Sequence, residues 1–213
     1  MYPTESEEIL IRKASVWGGL AAGGLLLVLG LAMIVVAVIG RAEVGDRLAD
    51  EKIVGTPDMT PELTQQAVEE AGLTDVIEIP DCSVADQEVD TGAEAECFAR
   101  YMRVHALEST GGKVYAEMPR AVFKDTGKPV PEEKASAALA GGTAIDNPER
   151  QIWVTETSLA TALDTSFFAQ GVATFAGIVG IALILIGSGL LVLTFGALRP
   201  LARRSDPDAK HPG

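Results

Sequence analysis

The sequence predicts an α-helical membrane protein: a two-helix transmembrane hairpin holding a small, mainly helical extracytoplasmic domain with minor strand content. Three observations predict it. Two long uncharged apolar runs stand towards the ends of the 213-residue chain, acidity is concentrated between them, and basic residues flank both runs on their outer sides. Hydrophobic residues make up 47% of the chain although its formal charge is −13, a combination that a globular average does not give. The two properties occupy different segments: residues 41–170 hold 11 Lys or Arg against 25 Asp or Glu, net −14.

The first run, residues 16–40, has no charged side chain and is closed by Arg12 and Lys13 before it and Arg41 after it. As a helix rising about 1.5 Å per residue it reaches roughly 36 Å, enough for a hydrocarbon core of about 30 Å. In lipid the backbone must satisfy its own polar groups, so such a run is helical. A cleaved signal peptide is the competing reading, but its apolar core would run only about 7–15 residues. The second run, residues 171–198, follows Phe167 and Phe168 and ends at Arg199, Pro200, Arg203 and Arg204.

Basic residues in short flanks stay cytoplasmic, whereas a long loop translocates whatever its charge. Residues 1–15 and 199–213 are therefore predicted to be cytoplasmic and residues 41–170 extracytoplasmic. The acidic balance excludes nucleic acid as a partner, since binding a phosphate backbone depends on Lys and Arg. Small residues recur in the spans: Gly19 and Gly23 on the first, and Ala169, Ala173 and Gly177 on one face of the second. Either they reflect the ordinary composition of membrane helices or they let helices pack closely, within the hairpin or against another subunit.

Between the spans, Val44, Leu48 and Ile53 can prolong the first helix until Gly55-Thr56-Pro57 stops it. Thr60 reads as an N-cap with Pro61 at the first helical position, and Leu63, Ala67, Val68 and Ala71 form one apolar stripe ending at Gly72. Val76 to Ile79 alternates as a strand would. Thr91 to Glu94 fits a capping box and Gly111-Gly112 a C-terminal stop, which predicts a helix over 92–110 carrying Phe98, Tyr101, Met102 and His105, with Glu96 and Arg100 paired on its exposed side. Residues 124–147 read as a mobile loop. Asn147-Pro148 restarts a helix carrying Ile152, Trp153, Leu159 and Leu163 into the second span, with a strand at 151–155 as the alternative.

Cys82 and Cys97, 15 positions apart in an exported domain, are expected to pair with each other. No Cys-x-x-Cys is present, and two thiolates without histidine partners do not complete a zinc shell. His105 is the one histidine of the outer domain, and neither Ser83 nor Ser109 sits in a Gly-x-Ser-x-Gly elbow. Gly111-Gly112-Lys113 lacks the strand and the first glycine of a phosphate loop. No catalytic residue, metal site or cofactor is predicted.

Three stretches, Leu48-Ala-Asp-Glu-Lys-Ile53, His105-Ala-Leu-Glu-Ser-Thr-Gly-Gly-Lys-Val-Tyr-Ala-Glu117 and Thr157-Ser-Leu-Ala-Thr-Ala-Leu-Asp-Thr-Ser-Phe-Phe168, resemble a family of small actinobacterial two-span membrane proteins. Members are often labelled aromatic-ring-opening dioxygenases. A non-haem iron site of that kind needs two His and a carboxylate, which one outer histidine cannot supply. The insert from Cys82 to Cys97 and the length of 124–147 depart from the shorter family pattern. The resemblance implies the hairpin plan and carries over no catalytic residue.

The functional expectation is a non-enzymatic accessory or interaction subunit of a larger membrane complex, with respiratory assemblies as candidate hosts and other integral membrane proteins and the lipid bilayer as partners. The alternative is an extracytoplasmic sensor or module that binds a small ligand.

Overall fold

A computed structural model describes the backbone of residues 5–198. Arg199, Pro200, Arg203, Arg204, Ser205 and His211 lie outside the described residues, as does the side chain of Arg12. The chain is mostly helical and divides into two compact units, one built from the apolar halves of the two long helices and the other from Glu43–Gln170.

The long helices are α1 (Glu5–Asp50) and α5 (Pro148–Leu193), each of 46 residues, and a π-helical turn, Thr194–Leu198, extends α5. Both are long and apolar enough to cross a membrane. In the first unit their contact repeats every seven residues. Gly23, Gly30 and Ala37 of α1 are buried, and so are Ala173, Gly180, Gly187 and Thr194 of α5. A seven-residue period keeps one seam facing the partner as two helices wind about each other. The backbones touch where the seam is glycine: a Cβ added to Gly30 would lie 2.7 Å from the Gly180 carbonyl oxygen, and one added to Gly180 equally close to that of Gly30. Gly23 and Gly187 repeat this contact at 3.0 and 2.9 Å.

Among the residues expected to pack helices, Gly19 faces the Thr194 side chain, Gly23 meets Leu191 and Gly187, and a Cβ on Gly177 would rest 3.5 Å from that of Ala37. Ala173 is buried, whereas Ala169, in the other unit, is half-buried. The expected spacing of four therefore catches only part of the seam. Two helices crossing at a shallow angle repeat in sevens, which the GxxxG pattern does not sample.

In the second unit, α3 (Gly92–Ser109) is central. Its capping box is complete, the Thr91 hydroxyl accepting from Glu94 N at 3.3 Å and the Glu94 carboxylate accepting from Thr91 N at 2.9 Å. Ala95, Cys97, Ala99, Tyr101, Val104, Ala106 and Leu107 are all buried, so the helix packs on most of its circumference and belongs to three apolar clusters. That overturns the expected Glu96–Arg100 pair on an outer face. Arg100 reaches across to Asp81 at 2.6 Å, an interaction that only the tertiary fold supplies.

Helix α2 (Pro61–Ala71) is capped as expected by Thr60 and by left-handed Gly72 (φ 68°). Its buried line, however, is Thr64 and Val68, while Leu63, Ala67 and Ala71 are exposed. The expected strand at Val76 to Ile79 is absent. This stretch leaves α2 through amides bonded to the Leu73 carbonyl and has no partner strand, burying Ile77 but not Val76. Residues 53–55 instead lie beside 85–89, joined by bonds such as Gly55 N to the Gln87 carbonyl at 2.9 Å. Gly55 is required there, because a Cβ would collide with the Val84 carbonyl.

Residues 124–147 are not the expected loop. Strands β1 (Ala121–Phe123) and β2 (Ala144–Asp146) pair antiparallel around α4 (Glu132–Ala140), enclosing a small core of Ala121, Val130, Ala135 and Ala144. The Asn147 side chain accepts from Glu149 N at 3.0 Å and starts α5. The strand alternative at 151–155 fails because Trp153 anchors a helix: it is buried, and its indole N–H donates to the Lys113 carbonyl at 2.9 Å. The hydroxyls of Ser158, Thr161 and Thr165 bond back to carbonyls four residues earlier, which accommodates these weak helix formers.

Candidate functional site

Three features of the second unit stand out from its general packing. The first is a brace at the start of α3. Cys97, on a buried face, is bonded to Cys82 with the two Cα atoms 6.1 Å apart, inside the usual range of about 4.4–6.8 Å. Tyr101 follows one turn on. It is fully buried, and its hydroxyl donates to the Cys82 carbonyl at 2.6 Å. Burial raises the Tyr101 pKa, with Glu62 adding to it. The hydrogen bond from Arg100 holds the Asp81 carboxyl below its ordinary value. Covalent bond, hydroxyl bond and ion pair thus fix the 80–84 segment to one helical turn.

The second feature is His105. Its Nδ1 lies 3.1 Å from Glu108 and its Nε2 3.5 Å from Asp58, so its polar neighbours are carboxylates. A hydrogen bond from Thr56 lowers the Asp58 pKa, with a smaller contribution from His105. Ser83 donates instead to the Met59 carbonyl at 3.1 Å. Ser109 shares with His105 a shallow cleft of about 500 Å³ between α3 and α5, whose wall includes Glu156. Glu156 is 5% exposed, accepts from Thr157 at 3.0 Å and has Arg103 at 3.8 Å. No group of three or more His, Cys, Asp or Glu side chains able to hold a metal occurs among the described residues.

The third feature is the largest of these hollows, a cleft of about 740 Å³. Leu48 and Ile53 form one wall, Phe98 and Met102 the back, and Leu159 and Leu163 the other wall, while Arg47, Asp50 and Glu51 supply charge. Leu48 and Leu163 also belong to a buried cluster with Val89, Ala95 and Ala99, which packs behind the walls. Arg47 is held by Glu43 at 2.7 Å, one turn earlier on α1. Sequence reading identified most of these apolar residues individually as faces of three helices. It had no signal that the faces converge without filling the space between them.

Compared with protein-family models, curated proteins and solved structures, the chain matches none.

Proposed function

We propose that the chain crosses a membrane twice, keeps both termini in the cytoplasm, and displays residues 41–170 outside as a domain that binds rather than catalyses. Supporting insertion is the surface of the long helices. Trp17 is 73% exposed, Leu185 68% and Val192 70%, and apolar side chains surround both helices except along their glycine seam. In water such a surface is an aggregation site, whereas lipid solvates it. Basic flanks orient the hairpin, and the disulfide suits an oxidising exterior.

The outer domain is, in this reading, an extracytoplasmic module for a small amphiphilic ligand. The 740 Å³ cleft carries that reading. Clefts of roughly 300–1,000 Å³ with apolar walls and a few placed polar groups are typical ligand sites. An apolar body against Phe98, Met102, Leu159 and Leu163 and a polar head at Arg47, Asp50 and Glu51 match the lining. The test fills the cleft from Ala162, an exposed lining position. Native mass spectrometry of the full chain in mild detergent should show a bound small molecule that Ala162→Trp releases. A wild-type protein free of ligand, or an adduct indifferent to the substitution, would overturn this reading.

A second reading, the accessory subunit of a membrane assembly, is favoured by the exposed stripe Leu63, Ala67 and Ala71 of α2. An amphipathic helix that turns its apolar stripe outward suits a protein partner. A co-purifying polypeptide in the same preparation, in place of a small molecule, would put this reading first.

A further inference from the structure

The second unit contains five arginines. Arg47, Arg100 and Arg103 each face a carboxylate, at 2.7, 2.6 and 3.8 Å. Arg120 and Arg150 have none within ion-pair distance among the described residues, although acidic side chains outnumber basic ones more than twofold in this segment. These two line one cleft, of about 440 Å³, where the β1–β2 pair leads into α5, and they share it with Tyr115, Asn147 and Gln151.

Their side chains are placed, not loose. The Arg150 guanidinium stacks 3.9 Å from the centroid of the Tyr115 ring, and its Nε is buried with no hydrogen-bond partner. Arg120 is exposed and donates from Nη1 to the Ser136 hydroxyl at 3.3 Å, leaving most of its donors available. A guanidinium fixed on an aromatic face loses little freedom when it forks onto an oxyanion.

We propose that this cleft binds a compact phosphate-bearing anion. Two guanidinium groups suit the charge of about −1.5 to −2 on a phosphate monoester better than a single carboxylate charge. The amides that open α5 are already occupied, Glu149 N by the Asn147 side chain and Arg150 N by the Asn147 carbonyl at 3.2 Å, so the arginines make the direct contacts and the helix end adds only its positive field. Asp146, which also lines the cleft, and the net −14 of residues 41–170 disfavour polyanions and leave room for a small anion between the two guanidinium groups. The proposal is independent of the apolar cleft.

Calorimetric titration of the full chain in phosphate-free maltoside micelles with inorganic phosphate tests it. Saturable 1:1 binding is expected, weakened at least tenfold by Arg150→Gln and by Arg120→Gln and unchanged by Lys128→Gln, an exposed lysine outside the cleft. Tyr115→Phe, which keeps the ring, should retain binding. If Arg150→Gln does not fold, the exposed Arg120 decides alone. Glycerol 3-phosphate and nanodiscs containing phosphatidic acid separate the two sources: competition by the former marks a soluble ester, capture only by the latter a lipid headgroup. Absence of saturation with both inorganic phosphate and phosphatidic acid, or binding indifferent to both arginines, would overturn the proposal.

Discussion

Gly30→Ala is expected to destabilise the helix hairpin by about 1–3 kcal/mol, the ordinary cost of forcing a methyl group into a closed contact. The new Cβ would lie 2.7 Å from the Gly180 carbonyl oxygen and 3.1 Å from Ile184 N, both backbone atoms of a helix that cannot yield locally. Gly180→Ala meets the reciprocal contact, with Gly30 O at 2.7 Å and Ile34 N at 3.2 Å. Gly177→Ala is the internal control. Its Cβ would stand 3.5 Å from that of Ala37, an ordinary contact, and alanine gains roughly 0.5–1 kcal/mol over glycine inside a helix. Opposite signs are therefore expected for substitutions three residues apart on one helix. Reversible unfolding in mixed detergent micelles reads the difference. Equal effects at Gly30 and Gly177 would refute the seven-residue seam.

Removing the Cys82–Cys97 bond should cost about 3 kcal/mol, the value for closing a loop of about 15 residues in the chain-entropy account. A paired Cys82→Ala, Cys97→Ala variant is preferable to serine, because Cys97 is buried against Met59, Val84 and Tyr101 and a hydroxyl would lack a partner there. The loss should exceed that of the crosslink alone if the Tyr101 bond to the Cys82 carbonyl and the Arg100–Asp81 pair loosen with it. The midpoint of denaturant unfolding of the Glu43–Gln170 unit should fall in the variant and in reduced wild type alike, and reductant should not move the variant. Identical midpoints for oxidised and reduced wild type would contradict the brace.

What was legible in the sequence was what is local. Thr60-Pro61, Thr91 with Glu94, Gly72 and Asn147-Pro148 mark helix ends through bonds spanning two to four residues, and each end falls where those residues place it. The cysteine pair is legible because two thiols alone in a domain that the basic flanks predict to be exported have few alternatives. The misses all depend on distant contacts. Residues 124–147 look like a loop because the core they help form consists of three alanines and one valine, gathered by a three-residue strand pair. Val76 to Ile79 has a strand pattern but no strand beside it. Helical spacing pairs Arg100 with Glu96, its neighbour on the helix, whereas the fold brings Asp81 to within 2.6 Å.

The candidate sites were less legible still. The 740 Å³ cleft needs Leu48, Phe98 and Leu163 from three helices, and no pattern within any one helix encodes the gap between them. Arg150 and Tyr115 stand 35 positions apart and meet only because the β1–β2 pair folds the chain back on itself. In the two long helices, a spacing of four catches Gly23 and Ala173 but passes over Gly30, Ala37, Gly180 and Gly187, which recur in sevens.

Site-directed labelling of intact cells tests the central claim most directly, that two spans hold the acidic domain outside the cytoplasm. With Cys82 and Cys97 bonded to each other, a single new cysteine is the only reactive thiol. A membrane-impermeant maleimide should label Ser136→Cys, at an exposed position of α4, in intact cells, and should label Ser205→Cys only after the membrane is opened. Labelling of Ser205→Cys in intact cells with Ser136→Cys protected, or equal labelling of both, would contradict the topology and with it the oxidising location of the disulfide.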